Sequence, residues 1–132
     1  CLVRDDARIA DNHIRFGQIP GGGSTQRLAR LVGRQQAMGL LLSGDRLSGA
    51  DARDLGLAYA SYPGKTFDAD VAGFLSTLAG RRRDAVITIK RLVQQGLSES
   101  IDDGLDAEID AVVDHISSAA GSDGVAAFSG RR

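Results

Sequence analysis

The residues of this chain that could do chemistry gather between His13 and Arg30, which reads His-Ile-Arg-Phe-Gly-Gln-Ile-Pro-Gly-Gly-Gly-Ser-Thr-Gln-Arg-Leu-Ala-Arg. Pro20 fixes its own φ and biases Ile19 away from helix. Gly21, Gly22 and Gly23 admit backbone conformations that a Cβ forbids. Ser24 or Thr25 can cap the helix that follows, in which Leu28, Leu31 and Val32 recur at helical spacing. The stretch therefore predicts a helix N-terminus at the end of a turn without side chains. Such a place carries unpaired N–H groups and a partial positive charge, and it attracts a polarised or anionic oxygen.

Other chemistries find less support. His13 and His115 are the two histidines, and neither has a cysteine or glutamate at ligand spacing, so no metal is expected. No Gly-Lys-Ser/Thr follows the three glycines, which excludes a nucleotide phosphate loop. With 16 basic and 17 acidic residues the formal net charge is −1. That leaves no strong electrostatic case for nucleic acid or an anionic membrane, and the run Arg81-Arg82-Arg83 reads as a solvated helix start or loop. The single cysteine cannot form an internal disulfide, which fits a reducing compartment, and a cytoplasmic location is expected. No apolar run approaches the roughly 20 residues of a membrane span.

The elements that must position this stretch follow from periodicity. Cys1-Leu2-Val3 reads as a short strand, Arg4-Asp5-Asp6 as a polar turn, and Ala7–Ala10 as a second short strand. Asp11-Asn12 is a turn signal that sets His13 just beyond a strand end. Two helical segments are predicted over 24–32 and 34–42, separated by Gly33 and ended by Ser43-Gly44. Ser48 and Asp51 resemble a capping box, with Asp replacing the usual Glu, ahead of a short helix over 49–55. Residues 57–62 read as a strand, with Tyr59 and Tyr62 as packing residues. Three amphipathic stripes then follow: Phe67 to Leu78, Ala85 to Val93, and Ile101 to Ile116. His115, in the last of these, reads as a helix-surface or interface residue. Ser122-Asp123 can cap a final short helix carrying Val125 and Phe128. Because Met38 is the sole methionine and the chain opens on strand-like residues, it reads as the C-terminal part of a longer protein.

At these residues a resemblance emerges. The run Gly17-Gln18-Ile19-Pro20-Gly21-Gly22-Gly23-Ser24-Thr25-Gln26-Arg27-Leu28 carries it, together with Asp6-Ala7-Arg8-Ile9, Arg30-Leu31-Val32-Gly33 and Leu41 to Ser48. Ala50-Asp51-Ala52, Leu55-Gly56-Leu57 and Gly124-Val125-Ala126-Ala127-Phe128 complete the ordered set. The chain resembles the C-terminal half of the crotonase superfamily, the enoyl-coenzyme A hydratases and isomerases. The resemblance implies an α/β fold, a spiral of ββα units, of which this is the helix-rich C-terminal portion with few short strands. Residues 1–66 would be the last part of the spiral core with the glycine turn. Residues 67–132 would be the helical region for trimerisation and closure of the coenzyme A site.

The resemblance also implies a chemistry. Such enzymes pass through the enolate of an acyl-coenzyme A thioester, whose oxygen needs two preorganised N–H donors. Relatives supply those donors, and one catalytic glutamate, from segments upstream of what corresponds to Cys1. A second hydratase glutamate lies in a Pro-Glu step that corresponds here to Asn12 and His13. Imidazole can do acid/base work near neutral pH, so His13 becomes the candidate for moving the α-proton or orienting a water. The alternative is a turn residue that bonds the backbone. The family's water-holding N–H maps to Gly21. Pro20 and Gly22 would border the substrate, and Phe128 would lie near the adenine of coenzyme A. The cofactor requirement is none beyond coenzyme A as part of the substrate, and a homotrimer or hexamer is implied. The function expected is that of an enoyl-coenzyme A hydratase/isomerase-like lyase acting on an acyl-CoA. A carbon–carbon or thioester hydrolase is an alternative, although the aspartate that accompanies the histidine in that branch falls on Gly22. The other alternative is a family member that binds the thioester without turning it over.

Overall fold

A computed structural model describes residues 1–118 and residue 121. Contacts group the chain into two compact units, Cys1–Ser76 and Thr77–Arg132.

The first unit is built on two short parallel strands, β1 (Leu2–Arg4) and β2 (Ala60–Tyr62), with Leu2 opposite Ala60, Val3 opposite Ser61 and Arg4 opposite Tyr62. Parallel strands need a long crossover, and the crossover here holds the glycine turn and two helices, α1 (Ser24–Ser43) and α2 (Gly49–Asp54). The expected strand over Ala7–Ala10 shrinks to a single antiparallel bridge. Ile9 and Leu47 exchange both backbone hydrogen bonds, at 2.9 and 2.8 Å, and no ladder continues from them. The strand expected over 57–62 starts only at Ala60. The Leu57 and Ala58 N–H groups are spent on the Ala52 carbonyl, where the chain turns out of α2 after the left-handed Gly56, φ 76°.

α2 is held at its start by the expected capping box. Ser48 Oγ accepts from Asp51 N at 3.1 Å, and Asp51 Oδ2 accepts from Ser48 N at 2.9 Å. Its first residue has to be glycine. A Cβ on Gly49 would stand 1.8 Å from the Arg4 carbonyl oxygen, because α2 enters directly against the end of β1. The buried apolar residues among those described are Ala37, Ala52 and Ala58, so this unit is knitted by close backbone approach more than by large side chains. α3 (Phe67–Ala79) adds aromatic contacts. Phe74 packs on Tyr59 with ring centroids 5.6 Å apart, and Phe67 on Tyr62 at 6.5 Å.

The second unit contains α4 (Arg83–Gly96) and α5 (Ile101–Ser117), which pack on each other. Ser100 caps α5 by accepting from Asp103 N at 3.2 Å. The apolar stripes predicted for 85–93 and 101–116 both lie on helices, yet Ile89, Val93, Ile109 and Val113 are each more than half exposed. The segment carrying Val125 and Phe128 lies outside the described residues. Among the described residues, no helix is long and apolar enough to cross a membrane.

Candidate active site

The glycine turn and the helix after it are arranged differently from the simplest reading of the sequence. Gly23, not Ser24 or Thr25, is the N-cap of α1. It sits at φ 89°, ψ 9°, and its carbonyl accepts from Gln26 N at 3.1 Å and Arg27 N at 2.8 Å. Of the three glycines only Gly23 occupies the left-handed region, which L-residues disfavour. Gly21 and Gly22 have ordinary backbone angles, and a Cβ on either would meet nothing within 4 Å. Nothing in the described residues therefore requires these two to be glycine, and the space above them is open. No side chain caps this end of α1, and its first turn holds no acidic residue. The helix tip thus keeps its electropositive character.

Ser24 is not a cap because it is already the first residue of α1, one past Gly23. It acts on the carboxylate of Asp11, the partner of His13, and favours that group's ionised form. His13 opens a single 3-10 turn, His13–Phe16, closed by Gly17 at φ 66°. Gly17 N donates to Ile14 O at 3.0 Å, and Gln18 N to His13 O at 3.0 Å, which fixes the backbone under the imidazole. The ring's Nδ1 lies 2.6 Å from Asp11 Oδ1, and the His13 backbone N–H also faces that oxygen at 3.4 Å. The imidazole is half exposed, whereas the Asp11 side chain is only 13% exposed. Asp11 borders a small cavity of about 40 Å³ walled by Ile9, Leu28, Leu40, Leu47 and Leu57. The Ser24 hydroxyl first, and the His13 imidazole second, hold the Asp11 carboxyl below the usual carboxylate range, against a desolvation that works the other way. Asp11 is therefore ionised at neutral pH.

The structure thus brings Asp11, His13 and Ser24 together, at the two ends of the segment that contains the glycine turn. Sequence signals single out His13, give Asp11-Asn12 as a turn, and offer Ser24 or Thr25 as the cap. The Asp-x-His spacing is the available clue, since Asp side chains readily bond the backbone two residues on, as Asp11 does with the His13 N–H. Beside this cluster runs an apolar groove of about 400 Å³. Ile14, Ile19, Pro20, Thr25, Met38 and Leu42 are among its walls, and Ile19 is 84% exposed. Pro20 is therefore a groove residue. Gly21 and Gly22 follow it directly, while the His13 ring turns instead to Asp11. His115 borders a separate groove in the second unit, between α4 and α5, beside Ile89 and Val112. Phe128 lies outside the described residues.

Comparison with known proteins agrees with this architecture. A family model described as enoyl-CoA hydratase/isomerase matches residues 1–132. The mitochondrial enoyl-CoA hydratase of Pongo abelii is 32% identical over 100 residues, covering 76% of this chain and 34% of the relative. A probable enoyl-CoA hydratase of Mycobacterium bovis is 28% identical over 131 residues, covering 99% of this chain and 51% of the relative. Among solved structures, an enoyl-CoA hydratase subunit from Geobacillus kaustophilus superposes with a TM-score of 0.89 at 26% identity, covering 99% of this chain and 51% of that one. The enoyl-CoA hydratase of Mycobacterium smegmatis gives the same score, identity and coverage. The chain spans about half the length of these relatives, or less. By this match along its whole length, the chain belongs to the enoyl-CoA hydratase/isomerase family of the crotonase superfamily.

Proposed function

We propose that this chain supplies the second half of an active site that transforms acyl-CoA thioesters through an enolate, in an enzyme of the enoyl-CoA hydratase/isomerase type. The observation that carries the reading is the family match over residues 1–132, which includes the glycine turn. His13 takes the place of one hydratase glutamate as the group that moves a proton. The Gly21 N–H orients the water, and Pro20 and Gly22 border the acyl-CoA. Phe128 is assigned to the adenine by the family resemblance alone. Coenzyme A arrives as part of the substrate, and the working form is a homotrimer or hexamer. The geometry of His13 supports its role. One ring nitrogen is held by a carboxylate, and no described residue bonds the other.

The test is crotonyl-CoA hydration by the full-length protein. His13→Ala is expected to lower kcat/KM by roughly 10²–10⁴-fold, the usual worth of a general acid/base. His13→Glu should retain part of the activity by restoring the carboxylate of hydratases. Equal rates for wild type and His13→Ala would remove the imidazole from the mechanism. Tight thioester binding in calorimetry without any turnover would instead make this a binding member of the family.

A further inference from the structure

We propose that Asp11 is a positioning residue that holds the His13 imidazole with its proton on Nδ1, so that Nε2 is the atom that exchanges a proton with substrate or water. The inference rests on the reading of His13 as the acid/base group and adds the residue that makes it one.

Three observations carry it. The Oδ1–Nδ1 separation of 2.6 Å is within hydrogen-bond distance, and the acceptor is a carboxylate. A carboxylate only accepts, so the shared hydrogen belongs to the ring nitrogen. A neutral imidazole has one N–H, and fixing it at Nδ1 leaves a lone pair at Nε2. Asp11 itself is held in place. Its side chain is mostly covered, and it borders a small cavity lined mainly by Ile9, Leu28, Leu40, Leu47 and Leu57. Through Asp11 the imidazole is held to its own turn, with eight residues between His13 and Gly22 in sequence. The proton balance closes without any further reagent. Nε2 takes a proton from water as oxygen attacks the β-carbon, which gives an imidazolium facing the Asp11 carboxylate. Nε2 then returns that proton to the α-carbon, and both side chains are restored. Asp11 stays ionised throughout.

The experiment combines histidine ring ¹⁵N NMR with kinetics on the full-length protein. The His13 resonances are assigned by their loss in His13→Gln. The expected result is an Nδ1–H ring in the wild type. In Asp11→Asn the ring should shift toward the Nε2–H form, and kcat should fall about 100-fold, as for a misaligned catalytic group. KM should change little. Asp11→Glu should restore part of both the tautomer and the rate. A wild-type His13 in the Nε2–H form would overturn the proposal without recourse to any variant. So would an Asp11→Asn protein with unchanged tautomer and unchanged kcat. If His13→Ala abolishes turnover while Asp11→Asn changes neither tautomer nor rate, only the role of Asp11 fails. If His13→Ala is as active as wild type, the reading of His13 fails and this proposal falls with it.

Discussion

At the scale of the residue, Asp11 links the chemistry of the site to the acid stability of the fold. Its carboxyl is held below its ordinary value of 3.8, chiefly by Ser24 and then by His13. A group whose folded pKa is depressed stabilises the native state above its unfolded pKa and loses that contribution as pH falls through the folded value. Asp11→Asn should therefore destabilise the protein above pH 3.8. The gap to wild type should narrow below pH 3.8 as the native carboxyl takes up its proton. Denaturant midpoints measured across that range check this. A gap independent of pH down to the lowest value would show that Asp11 is not paired as described. Ser24 is a poor guide when read alone. A serine at a helix start usually bonds N–H groups of its own first turn, but here Gly23 takes the capping conformation and Ser24 lies one residue inside the helix.

At the scale of the element, α1 is two helical segments meeting at Gly33, which lies at φ 80°, ψ 159°. This backbone region is essentially reserved for glycine, and another residue there costs of order 1–3 kcal/mol. The bend also shapes the groove. Thr25 and Ala29 line it from before Gly33, and Arg34, Ala37 and Met38 from after it. Gly33→Ala should lower unfolding stability by about 1–3 kcal/mol in chemical denaturation and should disturb the groove as the helix straightens. A loss below a few tenths of a kcal/mol would mean that the bend is not a feature of the folded protein. At the other end of the crossover, α2 owes its position to Gly49 as much as to its cap. The cap holds the helix start, and the missing Cβ lets that start touch the Arg4 carbonyl.

At the scale of the molecule, burial is out of proportion to the apolar content. The buried apolar residues described are three alanines, whereas Phe16, Ile19, Met38, Leu42, Ile89 and Val113 are all more than half exposed. Hydrophobic burial dominates folding stability, so residues 1–132 expressed alone should melt in a broad transition and bind a hydrophobic dye such as ANS. Scanning calorimetry and dye fluorescence measure both. A sharp cooperative transition without dye binding would show that these 132 residues stabilise themselves. The spread of exposed apolar residues over both units fits the span of the chain, which matches about half of its structural neighbours.

Much of this protein was legible in the residues themselves. The break at Gly33, the Ser48–Asp51 box, the helical stripes from Phe67 onward and the family all follow from local signals: glycine conformations, short-range hydrogen bonds and the 3.6-residue period. The strands were the weakest part of that reading. The length of a strand depends on its partner, and Leu2–Arg4 pairs with only three residues, Ala60–Tyr62. Local spacing offered the pairing of Asp11 with His13, and tertiary structure decided how far Asp11 is covered. Its cover comes from residues far along the chain, Leu28, Leu40, Leu47 and Leu57, which only the folded backbone brings beside it. Local pattern names a residue's options, whereas the contacts made by distant segments choose among them.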